Sequence, residues 1–270
     1  MMKLMLLTSN EKLIVEGLKA GVDIIFLDLE YINKKERQFG RDTVISNNSI
    51  DDVSRIRKIV PQGKLLVRVN PIHFNSKYEI DKVIENGADI IMLPMFTDSS
   101  EVRDFLNFVN GRAKTCLLFE TAQALVRIDD ILDVGHIDFA YIGLNDLHIS
   151  LHLNFMFEPL SGGIVDYMAA KFIERNIPFG FGGMGKIGDG AIPAERILTE
   201  HYRLKSTYVI LSRTFRNETN NSLNKPINLN LEIQKIRDEE VKNAKFSEQD
   251  FIKNRDIVKN LVQKFISGEK

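Results

Sequence analysis

The chain has 270 residues, 44% of them hydrophobic, and 36 basic against 37 acidic side chains give a formal charge of −1. That length and apolar content suit one large globular domain, and the balanced charge excludes a whole-chain field that would draw the protein to nucleic acid or to an anionic membrane. The single cysteine, Cys116, excludes an intrachain disulfide, and its place inside an apolar run reads as a packed thiol in a protein of the reducing cytoplasm.

The first apolar run, Leu4 to Leu7, is broken by Asn10, Glu11 and Lys12 and is too short for a signal segment or a membrane span. From there to Phe215, short apolar runs alternate with amphipathic stretches. Eight runs predict strands: "KLMLLTS", "DIIFLDLE", "KLLVRVN", "DIIMLPM", "TCLLFET", "DFAYIGL", "IPFGFGG" and "TYVILSR". Their near-continuous apolar character fits parallel strands covered on both faces better than half-exposed antiparallel ones. Between them lie helices with start and stop signals. "NEKLIVEGLKAG" carries Leu13, Ile14, Leu18 and Ala20 before a terminating Gly21. "SIDDVSRIRKIVP" opens with Ser49 and Asp52 at capping-box spacing and closes at Pro61, and Gly87 and Gly111 stop later patterns. This alternation predicts an α/β fold, a (β/α)8 TIM barrel over residues 1–216, in a class of domains typically about 250 residues long. A doubly wound open sheet is the alternative.

Residues 217–270 form a C-terminal helical extension in this reading. The polar, Asn-rich "RNETNNSLNKPINLNLE" is a connection, and "FSEQDFIKNRDIVKNLVQKFISGEK" is a helix with Ser247 and Asp250 as a capping box and an apolar stripe from Phe251 to Ile266. That stripe either completes the barrel's outer ring or packs on a neighbouring subunit of a homo-oligomer.

A barrel gathers the carboxyl ends of its strands on one face, where such enzymes place their sites. There the second run ends with Asp28 and Glu30, the third with Arg68 and Asn70, the fifth with Glu120, and Asn145 and Asp146 follow the sixth. A buried strand ending on Glu120 is costly unless something compensates the carboxylate. Two carboxylates from successive strands are what a hard divalent cation needs, so Glu120 and Asp146 are the expected ligands of Mg²⁺ or Mn²⁺. The plainer alternative is that Glu120 caps the next helix or pairs with Arg68, and that Asp146 caps a turn. Arg68 offers a planar fork for a substrate carboxylate or enolate oxygen, unless it forms a structural pair with Asp28 or Glu30.

The histidines supply no obvious general base: His73 reads as a solvated loop residue, His148 and His152 as surface residues, and His136 and His201 as peripheral. The glycine cluster from Phe179 to Gly190, including Gly182 and Gly183, sits where barrels often bind phosphate through backbone N–H groups. It serves equally as the hinge points of a long loop.

Taken in order and spacing, "FLDLE", "LLVRVN", "IIMLP", "LLFETAQAL" and "YIGLNDL" resemble the HpcH/HpaI aldolase and citrate lyase beta-subunit family of phosphoenolpyruvate-binding barrels, over most of the first 150 residues. The resemblance implies that Glu120 and Asp146 bind metal, that Arg68 binds the pyruvyl or oxaloacetyl unit and that Asp28 lies near the metal-bound water; position in the chain, not the resemblance, adds Glu30 beside that water and Asn70, Gly182 and Gly183 as residues lining the substrate. Tyr31 stands where the hydroxy-acid aldolase branch carries a histidine for proton transfer, and it breaks the D-L-E-D pattern of the acyl-CoA lyase branch as well. A tyrosine in that role needs strong perturbation. The implied activity is a metal-dependent carbon–carbon lyase acting on a small 2-oxo or hydroxy acid. Its alternatives are an acyl-CoA lyase and a non-catalytic barrel that binds metal and oxo acid.

Overall fold

The computed structural model describes residues 1–32, 48–216 and 227–268. Eight parallel strands close into a barrel in sequence order. They are β1 (Lys3–Leu7), β2 (Ile24–Asp28), β3 (Leu65–Arg68), β4 (Ile90–Leu93), β5 (Lys114–Phe119), β6 (Phe139–Ile142), β7 (Phe179–Met184) and β8 (Tyr208–Leu211). All eight predicted runs form strands, and β1 pairs with both β2 and β8, so the open-sheet alternative is excluded.

Strand side chains alternate between two apolar environments, which is why the runs are apolar at consecutive positions. Met5, Phe26, Leu66, Met92, Cys116, Leu118, Tyr141 and Tyr208 fill the barrel interior. Their neighbours, including Leu4, Leu27, Val67, Leu117 and Ile142, face the helices. Cys116 is fully buried and burial pushes its thiol pKa well up, so it is the packed thiol expected. In the barrel the Tyr141 hydroxyl donates to Gly182 O at 2.6 Å and accepts from Ile210 N at 2.8 Å, filling the irregularity where β7 shifts register against β8. A Cβ on Gly180 would meet the Tyr141 ring at 2.5 Å, so only glycine fits beneath it.

The outer layer comprises α1 (Glu11–Ala20), α2 (Ile50–Arg57), α3 (Ser76–Glu85), α4 (Ser99–Val109), α5 (Ala122–Val126), α6 (Ile128–Leu132), α7 (Leu144–Ser150), α8 (Glu158–Ser161), α9 (Ile164–Glu174) and α10 (Ala194–Arg203). The chain signals act as read: Gly21 ends α1 in the left-handed conformation, and Ser49 with Asp52 forms the capping box of α2. After β8 come a short 3₁₀ turn (Arg213–Arg216), α11 (Leu229–Asn243) and α12 (Glu248–Ser267). Most of the expected polar connection, residues 217–226, lies outside the described residues.

Helix α11 packs against α1 and α10, in the outer-ring place that follows β8, and α12 packs on α10 and α8 of the same chain. Of the apolar stripe on α12, Val258 and Val262 are buried, whereas Phe265 and Ile266 stay largely exposed. Buried polar groups fix both helices. Glu240 accepts from Met2 N, from Tyr202 Oη and from Arg237 Nη1, and the Asn254 amide donates to Arg196 O and to Glu200 Oε1.

Candidate active site

The alternation that fills the barrel also builds its mouth. Phe26, Leu66, Leu118 and Tyr141 point inward, so the residues two further along, Asp28, Arg68, Glu120 and Gly143, occupy the next layer at the carboxyl end. Asp28 and Arg68 are register partners on β2 and β3, and Gly143 N donates to Phe119 O at 2.9 Å, which sets Glu120 beside Gly143.

Arg68 holds this layer together. Its Nε and Nη2 donate to the two oxygens of Asp28 at 2.9 and 2.8 Å, and Nη2 lies 3.3 Å from Glu30 Oε2. The guanidinium carbon sits 5.6 Å over the Phe26 ring. Burial works against the charge, but Asp28, Glu30 and then Glu120 outweigh it and hold Arg68 well above the ordinary arginine range. The fork therefore faces the carboxylate of its own neighbour strand, the pairing that the sequence left as an alternative, and Glu120 lies within its electrostatic field without a direct hydrogen bond to it.

Glu120 is 2% exposed, and its Oε1 accepts from Met95 N at 3.2 Å. Met95 has φ of 56°, a left-handed conformation uncommon for a side chain of its size, and the residue delivers its N–H to the carboxylate. A Cβ on Gly143 would come within 2.7 Å of Glu120 Oε2, so glycine there leaves that oxygen its space. Thr121, not Glu120, caps the following helix, accepting from Ala124 N at 3.0 Å. Asp146 lies half-buried in the first turn of α7, where the helix dipole favours a carboxylate. The two side chains offer oxygens only, Glu120 directly after β5 and Asp146 on the helix after β6. Such a set fits a hard cation that takes two carboxylates and completes its shell with water and substrate oxygens. Among the described residues no group of three or more His, Cys, Asp or Glu side chains is placed to cage a metal by itself.

The remaining candidates separate. Asn70 is 2% exposed and fully engaged by its neighbours: its Oδ1 accepts from Tyr31 N at 2.9 Å and Ile32 N at 3.0 Å, and its Nδ2 donates to Glu79 Oε1 at 2.7 Å. Tyr31 is 64% exposed at the rim. Gly182 and Gly183 lie within β7 and not in a loop beyond it; Gly182 has φ of 59° and gives its carbonyl to Tyr141.

Two histidine expectations are corrected. His148 is buried, with its Nδ1 3.2 Å from Leu144 O, because α7 turns that side toward the barrel. His201 is fully buried against Phe181, with ring centroids 3.8 Å apart, and burial pushes its pKa down to about 3. Glu79 and Met95 carried no signal in the sequence, and Gly143 only a weak one, its spacing to Asp146 in "GLND".

The profile of the HpcH/HpaI aldolase/citrate lyase family matches residues 2–156, a span that holds every candidate discussed except Gly182 and Gly183. Among solved structures, an HpcH/HpaI aldolase from Desulfitobacterium hafniense DCB-2 aligns with a TM-score of 0.60 at 13% identity, covering 92% of this chain and 94% of that one. An HpcH/HpaI aldolase/citrate lyase family protein from Burkholderia cenocepacia J2315 gives 0.58 at 14%, covering 88% and 94%, and RipC from Yersinia pestis gives 0.54 at 14%, covering 79% and 91%. At such identities the likeness is one of fold. Comparison with curated proteins yields no match. Because the family profile spans more than half of the 270 residues, this chain belongs to the HpcH/HpaI aldolase/citrate lyase family.

Proposed function

We propose that the protein is a Mg²⁺- or Mn²⁺-dependent carbon–carbon lyase of aldolase type, acting through the enolate of pyruvate or a related 2-oxo acid. Family membership supports a lyase. The finer reading is supported by one observation, the layer in which Asp28, Arg68 and Glu120 meet at the carboxyl end of the barrel with room left by Gly143.

Glu120 and Asp146 would hold the cation, which when bound supplies Lewis-acid charge to the enolate oxygen. Arg68 places a second positive group beside that charge. Asp28 and Glu30 engage its Nε and Nη2, which fixes the guanidinium plane and leaves Nη1 as the donor for a substrate oxygen. The same two acids are the buried groups within reach for moving a proton, whereas Tyr31 stands at the solvent edge. Pyruvate release from a panel of 4-hydroxy-2-oxo acids, with and without Mg²⁺, tests this reading; turnover of some member only with metal supports it, and no turnover of any member contradicts it. Acyl-CoA thioesters added to the panel separate the citrate lyase type.

A second reading, a barrel that binds metal and oxo acid without turnover, is favoured by the exposure of Tyr31 at the place of the branch histidine. It predicts calorimetric binding of oxalate in the presence of Mg²⁺ and no product from the panel. The proposal is completed by a homo-oligomer in the cytoplasm, supported by the exposed Phe265 and Ile266 on α12; a compact monomer in sedimentation would remove that part. No helix among the described residues is long and apolar enough to cross a membrane.

A further inference from the structure

Glu79 on α3 is 7% exposed and has no place in the chemistry above. Its Oε1 accepts from Asn70 N at 3.3 Å and Asn70 Nδ2 at 2.7 Å, and its Oε2 is buried with no hydrogen-bond partner among the described residues. Burial raises its pKa, against the Asn70 bonds and the charge of His73, which lower it. A buried carboxyl this poorly satisfied costs stability. What it secures is the orientation of an amide. A carboxyl oxygen that accepts from Nδ2 forces Oδ1 to the opposite side, and there Oδ1 receives both Tyr31 N and Ile32 N. With the amide flipped, its NH₂ would face two N–H donors and its carbonyl would face the carboxylate.

The two clamped amides lie directly after the strand-end acids. Leu29 N donates to Arg68 O at 2.9 Å and Glu30 N to Asp28 Oδ1 at 3.1 Å, so the chain is tied on one side of Glu30 by β3 and on the other by Asn70. Glu30 has its Oε2 3.3 Å from Arg68 Nη2 between those ties. We propose that Glu79 is a positioning residue: through Asn70 it fixes the backbone at Tyr31 and Ile32, and so holds Glu30 against the Arg68 guanidinium. The proposal rests on the lyase reading for its kinetic consequence but not for its structural one.

The test compares full-length Glu79→Leu, Glu79→Gln and Asn70→Ala with the parent chain, using amide hydrogen exchange and steady-state kinetics on whichever substrate the panel reveals. In Glu79→Leu the Tyr31 and Ile32 amides are expected to exchange at least ~10-fold faster while strand amides in the barrel keep their protection, and kcat is expected to fall ~10- to 100-fold with KM altered less than ~3-fold. Glu79→Gln keeps an acceptor for Nδ2 and is expected to restore both readouts to within ~3-fold of the parent. Asn70→Ala removes both the Nδ2 donor and the Oδ1 acceptor, so it is expected to reproduce the faster exchange and lower kcat of Glu79→Leu, and it keeps the proposal testable if Glu79→Leu does not fold. Unchanged exchange at Tyr31 and Ile32 overturns the proposal, as does faster exchange with parental kcat. If the parent turns over no substrate, the lyase reading fails separately; the exchange result then decides together with Mg²⁺-oxalate affinity, which is expected to weaken ~10-fold in Glu79→Leu and would overturn the proposal by staying unchanged.

Discussion

Both ends of the barrel carry acids on or beside their strands, and the two ends use them in opposite ways. At the amino ends Asp23, Asp89 and Asp138 stand just before β2, β4 and β6. Each accepts a backbone N–H from the preceding odd strand, Leu4 at 2.9 Å, Leu65 at 2.9 Å and Thr115 at 2.8 Å. Arg57 adds a cation to Asp89 at 2.6 Å and Arg237 one to Asp23 at 3.4 Å. These carboxylates stitch neighbouring strands together. At the carboxyl ends Asp28 and Glu30 converge instead on one guanidinium, with Glu120 in its field. An acid at a strand terminus is therefore ambiguous by itself, and its partner separates the two groups: a sheet N–H ties Asp23, Asp89 and Asp138 into the strands, whereas a shared guanidinium gathers Asp28 and Glu30 in the candidate site.

Substitutions at the two ends should separate rate from stability. The largest effect is expected for Glu120→Gln, which keeps volume and removes charge: kcat/KM should fall ~10²–10³-fold in a metal-dependent assay, with little change in melting temperature. Arg68→Lys should follow at ~10²-fold in kcat/KM, because an ammonium cannot reproduce the two-point bond to Asp28, and kinetics at saturating Mg²⁺ would check it. A third prediction concerns the helix layer between the two ends. The His201 pKa lies near 3 in the folded protein against about 6.5 when unfolded, so the unfolded chain binds the proton more readily. Stability is then full above about pH 6.5 and falls as pH drops toward 3, by about 2 kcal/mol at pH 5. His201→Phe should flatten the acid limb of melting temperature against pH while leaving the pH profile of the rate unchanged. The smallest effect belongs to Asp138→Ala, which leaves Thr115 N without its acceptor: about 1 kcal/mol in denaturant titration and no change in kcat.

Much of this was legible in the sequence because it is local. Alternating apolar runs give strands, and Gly21, Ser49, Asp52, Ser247 and Asp250 mark helix ends through bonds to residues only a few positions away. The layer of Asp28, Arg68 and Glu120 follows from the same two-residue period once the barrel closes. What was hidden depends on which distant segments meet. The pair of Asp28 and Arg68 stood only as an alternative in the sequence, because it forms where β2 and β3 align those two residues in register, and no spacing within either run states that register. Asn70 looked like a pocket residue because it lies two places after Arg68, but it lies beyond the end of β3, and α3 brings Glu79 to it. His201 looked peripheral among charged neighbours, yet the apolar face of α10 presses its ring onto Phe181.

The most direct test is Mn²⁺ binding followed by electron paramagnetic resonance, in the parent, Glu120→Gln and Asp146→Asn, each with and without oxalate. The expected result is a Mn²⁺ site in the parent that tightens with oxalate and weakens at least ~10-fold in either variant, since each removes one of the two proposed carboxylate ligands. Equal Mn²⁺ affinity in the parent and both variants would contradict a cation held between β5 and β6.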